Sequence, residues 1–214
     1  MIRLIFARHG ESIWHAENRY AGKTDIALTQ RGLDQAVELA SWAKAENLSS
    51  VWSSSLMRAR LTAQPAADFL QVPLQIDAGF NELDFGRGEG LTNKEMHERF
   101  PLEREAFLQN PVEHYLPGGE DPIFAVQRSI TALNRIRGHS EQDARVLLVA
   151  HSTLIRLMLC ELLGIPLPHY RLRFPRLDNG TITELMLADE GASLLSFNSP
   201  FPVQNRANRD HVEK

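Results

Sequence analysis

Two stretches of the chain are apolar at nearly every position instead of at alternate ones. Ile2, Leu4, Ile5, Phe6 and Ala7 run together with only Arg3 between them, and "RVLLVA" does the same at 145–150. Runs of this kind suit strands buried on both faces of a sheet. "SSVWSSS", "VPLQID", "GTITELMLA" and "ASLLSFN" read as further strands, the first ending in a serine-rich turn. Between the strands the period changes. Leu33, Ala36, Val37, Ala40 and Ala43 recur at three- and four-residue spacing behind Thr29, which predicts a capped helix to about Glu46 with these residues on its apolar face. "LMRARLTAQPAADFL" predicts a second helix, kinked or shortened at Pro65. "FAVQRSITALNRIR" predicts a third, and "STLIRLMLCELLG" a fourth that Gly164 and Pro166 stop. Alternating strands and helices give an α/β fold, a three-layer sandwich with a mostly parallel central sheet and helices on both faces.

Residues 79–121 break the alternation. "GFNELDFGRGEGLT" is rich in glycine and acids, "NKEMHERFPLEREAFLQNP" is charged and helical in pieces, and "LPGGEDP" is a turn cluster. The region reads as a small helical and loop insertion over the sheet edge, within a single domain of residues 1–200. Residues 201–214 read as a polar tail.

Composition narrows the function classes. The 214 residues are 43% hydrophobic and 23% charged, with a formal net charge of −4. That balance speaks against nucleic-acid and membrane-surface partners, while leaving room for a local site that gathers positive charge. The single cysteine, Cys160, lies in an apolar run and reads as a buried small hydrophobe. The N-terminal apolar stretch is too short for a signal peptide, and nothing approaches a membrane span, so the expected location is the cytoplasm.

The chemistry lies where the two apolar strands stop. One runs directly into Arg8, His9 and Gly10, the other into His151 and Ser152. A core strand gains nothing by ending in a cation and a titratable ring. Ligands of open α/β sheets sit outside the carboxyl ends of the strands, so both histidines are expected to face one crevice. Arg58 falls in the first turn of the helix after the second strand, where backbone N–H groups also favour an anion. Gly10 fits a close approach of the backbone to a ligand. No histidine, cysteine or acid spacing points to a metal site.

"LIFARHGES", "LTQRGLDQA", "SSSLMRARLTA", "NELDFGRGEGLT", "PGGED" and "VLLVAHSTLIR" stand in the order of the motifs of the histidine phosphatase superfamily. The chain resembles the phosphatase branch of these phosphoglycerate-mutase-like proteins over about residues 2 to 198. The resemblance implies an enzyme of the histidine acid phosphatase type, a cofactor-free phosphomonoesterase acting on a small-molecule phosphate ester. His9 would be the nucleophile and His151 would stabilise the phosphoryl group. Arg8 and Arg58 would clamp the non-bridging oxygens, and Glu82 would be the general acid and base, with Asp84 its neighbour and competitor. A monomer and a homodimer fit equally.

Departures from the family pattern are also visible. His15 follows Trp14 where an asparagine is usual, leaving Asn18 to supply an amide contact to phosphate. Gly88 precedes "EG" in place of a tryptophan, which predicts a more open pocket wall. Ser152 stands where a glycine is common and keeps a backbone N–H for phosphate. A mutase is the first alternative, disfavoured because Arg99 and Arg104 are not an adjacent pair. An inactive binding module is the second, disfavoured by the intact set. Arg171, Arg173 and Arg176 are placed either to bind a second anionic group or to lie in solvent.

Overall fold

A computed structural model describes residues 1–201, so the tail beyond Phe201 lies outside the described residues. The sheet has six strands: β1 (Ile2–Arg8), β2 (Ser50–Ser53), β3 (Leu74–Ile76), β4 (Arg145–Ala150), β5 (Thr181–Ala188) and β6 (Gly191–Pro200). Their order is β3-β2-β4-β1-β5-β6, with the first four parallel, β5 antiparallel to β1, and β6 antiparallel to β5. Successive side chains of a strand point to opposite faces, and here both faces are covered. Leu4 and Phe6 join Val146 and Leu148 in one core, while Ile5 and Ala7 join Leu147 and Val149 in the other. This two-sided burial is why β1 and β4 are apolar throughout.

The second core is roofed by α2 (Gln30–Ala43) and α3 (Met57–Leu70). Thr29 caps α2 by accepting the Gly32 N–H at 3.1 Å. Ala36, Ala40 and Ala43 of the expected face of α2 are buried together with Leu39, but Leu33 is 42% and Val37 60% exposed. Alanines on α2 meet Ala59, Ala63, Ala66 and Ala67 of α3, and this small-residue contact sets the rotation of the helix. Pro65 was expected to kink or shorten α3, yet the helix runs through it. Packing of the alanines on either side outweighs the lost hydrogen bond.

The first core is closed by α6 (Pro122–His139) and α7 (Ser152–Leu162). Asp121 caps α6 through the Ile123 N–H, 2.8 Å away. Cys160 is fully buried in α7, where burial pushes its thiol up to about 11. Residues 79–121 fold over this side with α4 (Asn93–Arg99), which carries a Thr92/Glu95 capping box, and α5 (Pro101–Gln109). Phe80, Leu83, Met96, Phe100, Phe107 and Leu116 belong to the same core as α6 and α7. Two short helices, α1 (Ile13–Ala16) and α8 (Tyr170–Arg173), flank the carboxyl end of the sheet. No helix among the described residues is long and apolar enough to cross a membrane.

Candidate active site

Strand register brings the site together. Arg8 pairs with Ala150 across β1 and β4, and Ser53 with Val149 across β2 and β4. The next residues, His9, His151 and Ser54, therefore emerge side by side. The His9 N–H donates to Ala150 O at 3.0 Å, and the Ser54 N–H to Val149 O at 3.1 Å. All three side chains are buried, and the two imidazole rings lie 5.1 Å apart. The backbone behind His9 is held from three directions. Asn179 Nδ2 donates to His9 O, Thr62 Oγ1 accepts the Gly10 N–H, and Gln35 Oε1 accepts the Glu11 N–H.

Hydrogen bonding sets the tautomers. His9 Nδ1 lies 2.6 Å from Gly10 O. A carbonyl only accepts, so Nδ1 carries the proton and Nε2 keeps its lone pair. Burial above all, then His15, Arg58, His151 and Arg8, holds His9 well below the usual histidine range. His9 is thus a neutral ring with a free Nε2. His151 is the mirror case. Its Nε2 is 2.7 Å from Ser54 Oγ, and the Leu56 N–H donates to that oxygen at 3.3 Å. We assign the Ser54 hydroxyl as the donor to Nε2, which leaves the proton on Nδ1. Burial and Arg58 hold this ring neutral as well. His151 Nδ1 is buried with no partner among the described residues, as are Arg8 Nε and Arg58 Nε. A buried donor without an acceptor is costly and asks for an explanation.

The arginines are built in by backbone carbonyls. Arg8 donates to Leu177 O, and burial pulls its guanidinium down to about 10. Arg58 is fully buried, with Nη1 on Thr24 O at 2.8 Å and Nη2 on Gly22 O at 2.6 Å. The loop that offers these carbonyls is pinned by Glu89. That carboxylate accepts the N–H groups of Lys23 at 2.7 Å and Thr24 at 3.0 Å, and the Thr24 hydroxyl. A Cβ on Gly22 would lie 2.1 Å from Glu89 Oε1 and 2.6 Å from Leu83 O, so only glycine fits there.

Glu82 is buried and seated on the first turn of α7. Its Oε2 accepts the Thr153 N–H and its Oε1 the Leu154 N–H, both at 3.0 Å. The carboxyl is thereby tied to the turn that follows His151. Asp84, its competitor in the sequence, pairs with Lys23 and accepts the Gly86 N–H at 2.7 Å.

The chain matches known proteins over most of its length. The family model for the histidine phosphatase superfamily (branch 1) matches residues 4–200. The chain belongs to the histidine phosphatase superfamily. It is 31% identical to phosphoserine phosphatase 1 of Hydrogenobacter thermophilus, over 79% of this chain and 80% of that protein. It is 32% identical to the 2,3-bisphosphoglycerate-dependent phosphoglycerate mutase 2 of Gloeobacter violaceus, over 76% of each. Among solved structures, the alpha-ribazole phosphatase of Shigella flexneri aligns at a TM-score of 0.82 with 27% identity, covering 95% of this chain and 100% of that one. A mycobacterial glucosyl-3-phosphoglycerate phosphatase in complex with VO3 aligns at 0.84 with 25% identity, covering 92% and 99%.

Several features of this histidine phosphatase depart from what its sequence led us to expect. His15, not Asn18, stands beside His9: the two rings are 5.0 Å apart, and His15 Nδ1 is 2.6 Å from Ser12 Oγ. Burial, with Arg8 and Arg58, lowers His15 to about 3. Asn18 is exposed on a left-handed residue, φ 57°. At Gly10 an added Cβ would lie 2.4 Å from Gly32 O, so the backbone there packs directly against α2. Gly88 does not open the pocket wall: Leu116 Cδ1 fills that place, 2.4 Å from where a Cβ would be. Ser152 is half-buried as the first residue of α7. Ser54, Thr62, Gln35, Asn179 and Glu89 went unnoticed in the sequence, because they act on the backbone or the rings of the site. "SSS" after β2 was the one available signal, and it reads equally as a turn.

Proposed function

We propose that this protein is a phosphomonoesterase of small phosphorylated metabolites that works without a metal ion, through a phosphohistidine. The observation that carries the reading is the neutral His9, its Nε2 lone pair free, beside three buried donors without protein acceptors: Arg8 Nε, Arg58 Nε and His151 Nδ1. A phosphoryl group supplies the acceptors these donors lack, and its charge offsets the burial of two guanidinium groups. In the first step the Nε2–P bond forms as the ester P–O bond breaks, with negative charge spreading over oxygens held by the arginines and His151. Glu82, seated on α7, gives its proton to the leaving alcohol oxygen. In the second step it takes a proton from the water that attacks phosphorus, which restores His9. His15 Nε2 donates to the same phosphoryl group, because the Ser12 hydroxyl satisfies Nδ1. The backbone N–H of Ser152 is a further donor to it.

A mutase would share the first step and return the phosphoryl group to another oxygen of the substrate. Similarity to the Gloeobacter violaceus mutase keeps that reading in view. Phosphate release from an aryl phosphate in excess chelator, from about pH 5 to 8, separates the cases. Turnover in the native protein that disappears in His9→Ala, with acid-labile phosphate trapped on His9, is the expected result. Labelling of His9 without release of phosphate would establish the mutase reading instead.

A further inference from the structure

Arg156 and Arg171 are held unlike the arginines at the rim of the molecule. Arg19, Arg128, Arg135 and Arg145 each pair with a carboxylate. Among the described residues Arg156 and Arg171 pair with none, and aromatic rings hold them instead. Arg156, one turn into α7, donates from Nε to Ser152 O at 3.1 Å and reaches Phe174 O at 3.4 Å. Its guanidinium lies over the Tyr170 ring, 5.1 Å from the centroid. Arg171 lies over Phe107 of α5 at 4.4 Å and over Tyr170 at 5.5 Å, and its Nε donates to Tyr170 Oη at 3.0 Å. No hydrogen bond from the terminal nitrogens of Arg171 occurs among the described residues. Stacking of this kind fixes the plane of a guanidinium and leaves its outer edge for a planar or tetrahedral anion.

The pair adjoins the phosphoryl site. The segment from Phe174 to Leu177 receives Arg156 at one end and Arg8 at the other. Arg156 is close enough to Arg8 for its charge to help lower Arg8, and Arg171 likewise acts on Arg156. Arg58, Arg8 and Arg156 thus lie near a single buried acid, Glu82, and Arg171 stands beside Arg156. Asp178, the other acid near Arg8, is taken by Arg176. One phosphoryl group accounts for Arg8 and Arg58 and leaves the outer pair without an anion.

We infer that Arg156 and Arg171 form a second anion subsite, and that the substrate is a phosphomonoester whose alcohol carries another anionic group, a carboxylate or a second phosphoryl. The inference rests on the phosphatase reading and adds the class of substrate to it. It also separates the three arginines after α7: Arg171 shares the Tyr170 ring with Arg156, Arg173 is exposed, and Arg176 is paired.

Competition against aryl phosphate turnover tests it in the native protein. Glycerol 3-phosphate, 3-phosphoglycerate and glycerol 1,3-bisphosphate differ only in what stands at the far end from the phosphate. The carboxylate or the bisphosphate is expected to compete about tenfold or more better than glycerol 3-phosphate, the worth of one charge-assisted hydrogen bond. Whichever of the two gains the advantage identifies the anion. Arg156→Gln and Arg171→Gln should each remove that advantage, and Arg173→Gln should keep it. Equal competition by all three compounds in the native protein would overturn the subsite, and so would an advantage that survives both glutamine variants. Because the native comparison discriminates alone, a variant that fails to fold does not shield the inference. Loss of aryl phosphate turnover in the native protein would count against the phosphatase reading. Calorimetric binding of the same three compounds then decides the subsite separately.

Discussion

At the scale of single residues, the proposed chemistry depends on proton positions that hydrogen bonding sets. Gly10 O holds a proton on His9 Nδ1, and Ser54 Oγ holds one off His151 Nε2. Ser54→Ala would remove the donor that selects the His151 tautomer, so Nδ1 would no longer be the obligatory proton carrier. We expect kcat for aryl phosphate to fall roughly tenfold, the equivalent of one neutral hydrogen bond. Ser54→Thr, which keeps the hydroxyl, should recover much of the loss. Thermal unfolding of Ser54→Ala close to the native midpoint would separate the tautomer effect from a fold defect. Arg8, His9, Arg58, Glu82 and His151 were legible as types at motif positions. Their tautomers and orphaned donors were not, because these depend on partners between 1 and 97 residues away.

At the scale of elements, two loops act as struts for the cations. The segment at 21–24 lends its carbonyls to Arg58, and Glu89 pulls that segment in from the insertion. Gly22→Ala would drive a methyl group into Glu89 and Leu83 O, and neither can withdraw without releasing the loop. The expected outcome is a loss of stability of about 1–3 kcal/mol by denaturant unfolding. The apparent KM for aryl phosphate should rise with it, because Arg58 loses its seat. The helices were legible in outline, down to Thr29 as the cap of α2. Their rotation was not: periodicity marked Leu33 and Val37 as core, whereas alanine-on-alanine contact between α2 and α3 turned the helix so that they face solvent. Gly88 misled for the same reason, since Leu116 comes in from a distant turn to fill the space.

At the scale of the whole molecule, the fold keeps His9, His15 and His151 neutral together. All three are lowered in the folded state, first by burial and then by neighbouring positive groups, with His15 brought to about 3. In the unfolded chain each takes up a proton near pH 6.5. Below that pH the unfolded state binds more protons than the folded one, so stability is full above about 6.5 and falls as pH is lowered toward the folded-state values. Each histidine contributes a slope of up to about 1.4 kcal/mol per pH unit within its window. His15→Asn should make the decline of the unfolding free energy between about pH 6.5 and 4 shallower by up to one such increment. Parallel curves for the variant and the native protein would show that His15 is protonated in the folded state.

The sequence by itself determined the class of fold and pointed to the chemistry proposed for it. Two doubly buried strands had to lie inside a covered sheet, and a histidine at the end of each had to reach its carboxyl edge. Only the tertiary structure decided which strands are neighbours, and with that what the histidines touch. β4 inserts between β1 and β2, so His151 meets His9 on one side and Ser54 on the other. Arg156 shows the same division. In the sequence it is one polar residue in an apolar run, and its place beside Tyr170 and Arg171 exists only once α7 and α8 pack together. Local pattern reports what a residue needs around it, through burial and period. Which groups meet that need follows from chain crossings and long-range packing, and no window of sequence contains those.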